Sequence, residues 1–134
     1  MSIEWIKHGK QVLAVIISSD YKPDKTEFIT PLDYKQQLGF ILYKSGEFIK
    51  PHIHIPMKRN LEGTSEVLFI KSGEVEVDLY TKDKKIVQTR VLNQGDIILL
   101  VSGGHGFRML KNTVMLEVKQ GPYIGEEEKE RFNP

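Results

Sequence analysis

Four side chains with metal-binding chemistry stand out in this sequence: His52, His54, Glu66 and His105. His52 and His54 are two residues apart, and side chains at i and i+2 of an extended segment point to the same side. The segment 51–54 is therefore predicted to direct two imidazoles at one point. With Glu66 and His105 the set offers three nitrogens and one oxygen. Such a set suits Fe, Mn, Co, Ni or Zn and leaves coordination positions open for water or substrate.

The segments around these residues are typical of an all-β protein. Short runs of β-branched and aromatic residues recur between turn residues, which predicts an antiparallel sandwich or barrel. The runs are 12–17, 38–43, 66–70, 75–80, 86–92, 97–100 and 113–118. The C-terminal residues 125–131 are compatible either with a short helix, in which Glu127 and Arg131 pair, or with a solvated tail.

Two glycine-framed motifs resemble those of the cupin superfamily. Gly46, His52, His54, Glu66 and Gly73 follow the first motif. Eleven residues, 55–65, separate His54 from Glu66, where the motif has only a few. Glu66 keeps the expected distance to Gly73 and opens an apolar strand, so we place the insertion in the preceding loop. Glu62 is the rival ligand, but it precedes Gly63 in a segment without strand character.

The second motif is carried by Gly95-Asp96, the apolar run 97–100, the Gly103-Gly104 turn and His105. His105 precedes the position that the motif gives its histidine by one residue, and the glycine turn is expected to absorb this offset. The resemblance implies a single-domain cupin over 1–134, folded as a double-stranded β-helix (jelly roll). It also implies a divalent transition metal, held by the four residues named first, and a homodimer. We expect the apolar run 12–17 near the dimer contact.

Composition excludes several other function classes. The chain has 134 residues, no cysteine and a net charge of +1. Disulfides and thiolate ligands are therefore excluded, and no basic stripe indicates nucleic-acid binding. The apolar run 12–17 is too short to span a membrane, so a cytoplasmic protein is expected.

A bound metal would supply a Lewis acid, and few other residues are obviously catalytic. The turn at 103–106 lacks the Lys-Ser or Lys-Thr of a phosphate loop. Phe107 follows His105 on the same face and is a candidate substrate contact, although core packing is its usual role. Lys58 and Arg59, in the inserted loop, are candidate contacts for an anionic ligand or ordinary surface charges.

The last strand leaves two orientations open. If Met115, Glu117 and Lys119 faced inward, Glu117 could act as a general base and Lys119 could bind an oxyanion. We expect them to face outward, because the alternating aliphatic residues 114, 116 and 118 would make a better core. The favoured function is a metal-dependent isomerase, epimerase or dioxygenase acting on a sugar derivative or small oxyanion. The alternative is a non-catalytic, metal-assisted carbohydrate-binding module.

Overall fold

The computed structural model describes residues 2–134 and is all-β, as expected. Within these residues the strands are β1 Ile3–His8, β2 Gln11–Ile17, β3 Glu27–Phe28, β4 Gly39–Phe40, β5 Glu66–Ser72, β6 Glu74–Tyr80, β7 Ile86–Asn93, β8 Ile97–Leu100, β9 Gly104–Met109 and β10 Val114–Lys119. A single-turn 3-10 helix follows at Glu126–Glu128. The chain divides into two compact units. One comprises the residues up to Tyr21 together with Thr64–Pro134, and the other comprises Lys22–Gly63.

The first unit is a sandwich of two antiparallel sheets. The larger sheet has the strand order β1-β2-β8-β5-β10, and the smaller has the order β7-β6-β9. From β5 onward the chain passes repeatedly between the sheets, so that β6 and β7 lie in the smaller sheet, β8 in the larger, β9 in the smaller and β10 in the larger. Residues of both sheets share one hydrophobic core.

The core follows from strict alternation of side chains along the strands. Val75, Val77 and Leu79 of β6 are at most 1% exposed, whereas the acidic residues between them are partly exposed. In β8, Ile98 and Leu99 are both buried, so both faces of this strand are covered. The apolar run 97–100 predicted this, because a strand covered on both faces has no position for a polar side chain.

One edge of the sandwich is closed by an ion pair between the sheets. The Arg90 side chain, on β7, donates from Nε to Glu4 Oε1 at 3.0 Å and from Nη2 to Glu4 Oε2 at 2.7 Å. Glu4 lies on β1, the edge strand of the larger sheet. The guanidinium therefore holds the β1 edge to the β7 edge with two parallel hydrogen bonds.

The second unit has little regular structure. Its strands β3 and β4 form a two-residue antiparallel pair, in which Glu27 lies opposite Phe40. The loop between them is fixed by buried Thr30, whose hydroxyl donates to Gln37 Oε1 at 2.9 Å and accepts from the Leu38 backbone N–H at 3.0 Å. The amide of Gln37 in turn donates to backbone carbonyls of the same loop.

Several local predictions were wrong. The run 38–43 forms a strand only at Gly39–Phe40, and no strand is assigned to 51–54. Of the two alternatives for residues 125–131, the helix is limited to one 3-10 turn, and Arg131 pairs with Glu126 rather than Glu127. Among residues 2–134, no helix is long and apolar enough to cross a membrane.

The apolar run 12–17 is also unsuited to the role expected of it. It lies in β2, between β1 and β8, so both edges of its backbone are already paired. Leu13 to Ile17 are at most 9% exposed. The homodimer remains a prediction, but β2 offers no edge for it.

Candidate functional site

Glu66 and His105 meet at the end of the sandwich opposite the Glu4–Arg90 edge. Glu66 is the first residue of β5, and His105 is the second residue of β9. The His105 Nε2 atom lies 3.3 Å from Glu66 Oε1. The Glu66 side chain is 13% exposed and that of His105 is 31% exposed, so the carboxylate is enclosed and the imidazole is open on one side. The expectation that these two residues converge is confirmed.

The inward orientation of His105 depends on the turn before it. Gly103 has φ +75°, and a Cβ at this position would approach the Tyr80 carbonyl oxygen to 2.3 Å. Only glycine fits such a turn without strain. β9 then starts at Gly104, and His105 pairs opposite Leu79, whose side chain belongs to the core. The turn at Gly103 therefore sets the register in which His105 lies opposite Leu79.

Glu117 and Lys119 of β10 face the same interior, and the prediction that they face outward was wrong. Lys119 lies opposite Glu66 and Glu117 lies opposite Leu68 in the β10–β5 pairing. Since directly opposed residues share a face, both side chains point to the Glu66 side of the sheet.

The residues that alternate with them lie on the outer face. Val114, Leu116 and Val118 are 52–58% exposed. The prediction assumed that the aliphatic residues of β10 mark its buried face, and this assumption fails because β10 is an edge strand. Neither face of an edge strand is fully enclosed, so its most apolar residues need not mark the core.

Electrostatics distinguish the two carboxylates. The hydrogen bond with His105 lowers the pKa of Glu66 to about 2, against the opposing effect of burial. Glu117 shares a hydrogen bond with Glu66, and this bond raises the pKa of Glu117, with burial acting in the same direction. The same contacts therefore favour the anion at Glu66 and make Glu117 hold its proton more tightly than an ordinary carboxyl.

Lys119 connects this pair with the C-terminal segment. Its ammonium lies 3.6 Å from Glu117 Oε2 and 3.8 Å from Glu128 Oε1. It also lies 5.2 Å from the centre of the Tyr123 ring, within the range of a cation–π contact. Two carboxylates thus pair with one ammonium. Glu128 and Tyr123 were not predicted as site residues, because neither lies in a strand that carries the site.

Phe107 lines the same interior but is mainly a core residue. It lies opposite Val77 and packs against the hydrophobic core, and its ring centre is 5.7 Å from that of His105. The alternative of plain packing is therefore confirmed for Phe107. A wall contact with a ligand beside His105 stays a prediction.

His52 and His54 belong to the second unit. Their ring centres are 5.1 Å apart with the planes at 69°, so the two imidazoles are neighbours even though the segment is not a strand. Both residues are exposed. The Nδ1 atom of His52 lies 2.9 Å from the Lys50 carbonyl oxygen, which can only accept, so Nδ1 is the donor and Nε2 is the nitrogen left to bind a metal.

The remaining predicted contacts, Lys58 and Arg59, also lie in the second unit and are exposed. The rival carboxylate Glu62 is exposed, and its backbone carbonyl accepts a hydrogen bond from the Lys35 ammonium. Glu62 has no contact comparable with the Glu66–His105 pair in the part of the chain that the structure describes.

The donors that the structure brings together form pairs rather than a full metal shell. Over residues 2–134, no group of three or more His, Cys, Asp or Glu side chains is gathered as a metal site. In comparisons with known proteins, the chain matches no family model, no curated protein and no solved structure.

Proposed function

We propose that this chain is a metal-binding protein of cupin type with a jelly-roll fold, acting on a small molecule at the Glu66–His105 end of the sandwich. The observation that carries the proposal is the 3.3 Å approach of His105 Nε2 to Glu66 Oε1. The repeated passage of the chain between two antiparallel sheets supports the jelly-roll assignment.

The donors fit a divalent transition metal in chemistry and spacing. Two ligands at ordinary metal–ligand distances around one ion lie ~3 Å apart, close to the separation of these two atoms. Imidazole nitrogen with carboxylate oxygen suits Fe, Mn, Co, Ni or Zn. The carboxyls of Glu66, Glu117 and Glu128 outnumber the one ammonium of Lys119, and a divalent cation would reduce the repulsion between them. His52 and His54 are the two further ligands of the proposal, on the strength of their spacing.

A metal held there would supply a Lewis acid that polarises a substrate oxygen. The chain's own residues would hold the metal, limit water and transfer a proton. Glu66 and His105 would hold the ion, and Phe107 would limit water beside it. We assign proton transfer to Glu117, because its side chain is 39% exposed and can reach a ligand, whereas Glu66 is enclosed. Such a set supports isomerisation or epimerisation next to a carbonyl group, as in a sugar derivative.

The test is a screen of metal-loaded protein for turnover of keto sugars, sugar phosphates and small carboxylic acids. Any activity found should be lost in Glu117→Gln with metal content retained, and lost together with the metal in Glu66→Ala. Loss of metal in Glu62→Ala but not in Glu66→Ala would show that the carboxylate is wrongly assigned. A ligand that is bound but never converted would favour the binding-module alternative.

Lys58 and Arg59 remain proposed contacts for an anionic part of the ligand. Replacing both with alanine should weaken affinity for a charged ligand and flatten its dependence on salt, because exposed charges act through screened attraction. Unchanged affinity and salt dependence would make them ordinary surface residues. A cytoplasmic location and a homodimer complete the proposal, and both rest on the sequence.

A further inference from the structure

The C-terminal segment runs from Lys119, opposite Glu66, to Phe132, which lies against Gly104 beside His105. We call the surface around Glu66 and His105 the Glu66–His105 mouth. The segment leaves the larger sheet after Lys119 and reaches the smaller sheet at Phe132, whose ring packs edge-on against Tyr80 with centres 5.0 Å apart. A Cβ on Gly104, the residue before His105, would lie 3.4 Å from the Phe132 ring. The two ends of the segment are therefore fixed beside the two strands that supply the site.

Side chains alone attach this segment to the strands. In the part of the chain that the structure describes, its backbone hydrogen bonds beyond residue 120 are confined to its own 3-10 turn, from Glu128 to Gly125 and from Lys129 to Glu126. Its attachments to the strands include the Phe132–Tyr80 contact, the contacts of Lys119 with Tyr123 and Glu128, and an ion pair of 3.4 Å between Lys84 and Glu130. A segment without backbone bonds to its sheet can detach at little cost to the fold.

Glu128 is the residue of this segment whose carboxylate lies beside Lys119. Its side chain is only 17% exposed, and its carboxylate faces the Lys119 ammonium at 3.8 Å. This separation is longer than that of a charge-assisted hydrogen bond, so the pair is easily exchanged. Glu126, two residues earlier, is 66% exposed and pairs only with Arg131 of the same segment.

We propose that residues 126–132 are a displaceable cover over the Glu66–His105 mouth, and that Glu128 occupies the position where Lys119 receives the carboxylate of a ligand. A small carboxylic acid or sugar acid would displace Glu128, pair with Lys119 and enter beside Glu117. Tyr123, stacked on Lys119, would then line the entrance. The ligand class deepens the proposed function and rests on it, because it assumes that the mouth binds a ligand.

The test uses acetate, which has the same charged group as the Glu128 side chain. Full-length wild type, Glu128→Ala and Glu126→Ala are titrated with sodium acetate, with sodium chloride at equal ionic strength as the salt control. NMR signals of the Lys119 ε-methylene report occupancy, since the Tyr123 ring shifts them. Removal of an intramolecular competitor should lower the acetate midpoint by about tenfold in Glu128→Ala. Glu126→Ala removes the same charge from the same turn and should behave as wild type.

Equal midpoints in all three proteins, or no response of Lys119 to acetate beyond that to chloride, would overturn the proposal. Phe132→Ala is a second test, because it removes the contact of the segment with Tyr80 and leaves Lys119 unchanged. It should also lower the midpoint, and an unchanged midpoint would show that the segment is not a cover. Metal content is measured separately on the same samples, so failure of the metal proposal and failure of the cover are distinguishable.

Discussion

We expect the Glu4–Arg90 ion pair to contribute to the free energy of unfolding, because it joins the two sheets at the β1–β7 edge. Arg90→Met keeps much of the aliphatic stem and removes the guanidinium. The lost interaction consists of hydrogen bonds of 2.7 and 3.0 Å to one carboxylate. Both side chains are more than a third exposed, which screens the charges. We therefore expect a loss of ~1 kcal/mol in the free energy of unfolding, at the upper end for exposed pairs, since the geometry is bidentate.

The assay is urea unfolding followed by the fluorescence of Trp5, the single tryptophan, which is adjacent to Glu4 in β1. With m values of about 1–3 kcal/mol per molar urea, the midpoint should fall by roughly 0.5 M. A cycle with Glu4→Gln and the double variant isolates the pair itself. Arg131→Met, which breaks a similar pair inside the exposed C-terminal segment, is the control and should leave the midpoint unchanged.

This pair also predicts a pH dependence. The hydrogen bond with Arg90 lowers the pKa of Glu4 below its ordinary value. The unfolded chain binds this proton more tightly than the folded one, so the contribution is fully present above the unfolded pKa of ~4.3. It is lost as the pH falls through the lower pKa of the folded protein. If Arg90→Met were as stable as wild type at neutral pH, or showed the same acid profile, the pair would not hold the sheets together.

Three further predictions concern the core, the site and the assembly. Leu79→Ala should cost about 3 kcal/mol by leaving a cavity, whereas Leu116→Ala on the exposed face of β10 should cost under ~1 kcal/mol; equal costs in urea unfolding would contradict the assigned faces. Glu117→Gln should raise stability at neutral pH by ~0.5 kcal/mol, because an amide can donate to Glu66 without repelling it, and a destabilised variant would mean that the two carboxyls do not oppose each other. Light scattering should give a dimer, and a monomer at every concentration would remove the homodimer.

Much of the first unit could be predicted from the sequence, because its strands are apolar in regular alternation. The runs 66–70, 75–80, 86–92 and 97–100 fall in strands, as does 113–118 from Val114 onward, and turns between them carry glycines with positive φ. The strands Ile3–His8 and Gly104–Met109 were missed, since charged residues interrupt the first and glycines the second. Both segments are strands because they pair with neighbouring strands, and their own composition would not predict it.

Some residues of the candidate site could be predicted from the sequence and others could not. Glu66 and His105 were found because each begins or follows a recognisable turn. Glu117 and Lys119 were found but placed on the wrong face, since the direction of an edge strand is decided by its register with β5. Glu128 and Tyr123 were missed because they reach Lys119 from a segment without strand or helix periodicity. Contacts of this kind come from the path of the chain rather than from a local pattern.

The measurement that tests the central proposal most directly is the metal content of the full chain, purified without a histidine tag or chelators. Elemental analysis should find about one divalent transition metal per chain, because the four proposed ligands would form one mixed nitrogen and oxygen site. His105→Ala and Glu66→Ala should each reduce that content strongly, while Glu62→Ala should not. Protein that neither retains nor takes up any divalent metal, with its strands intact by circular dichroism, would contradict the account.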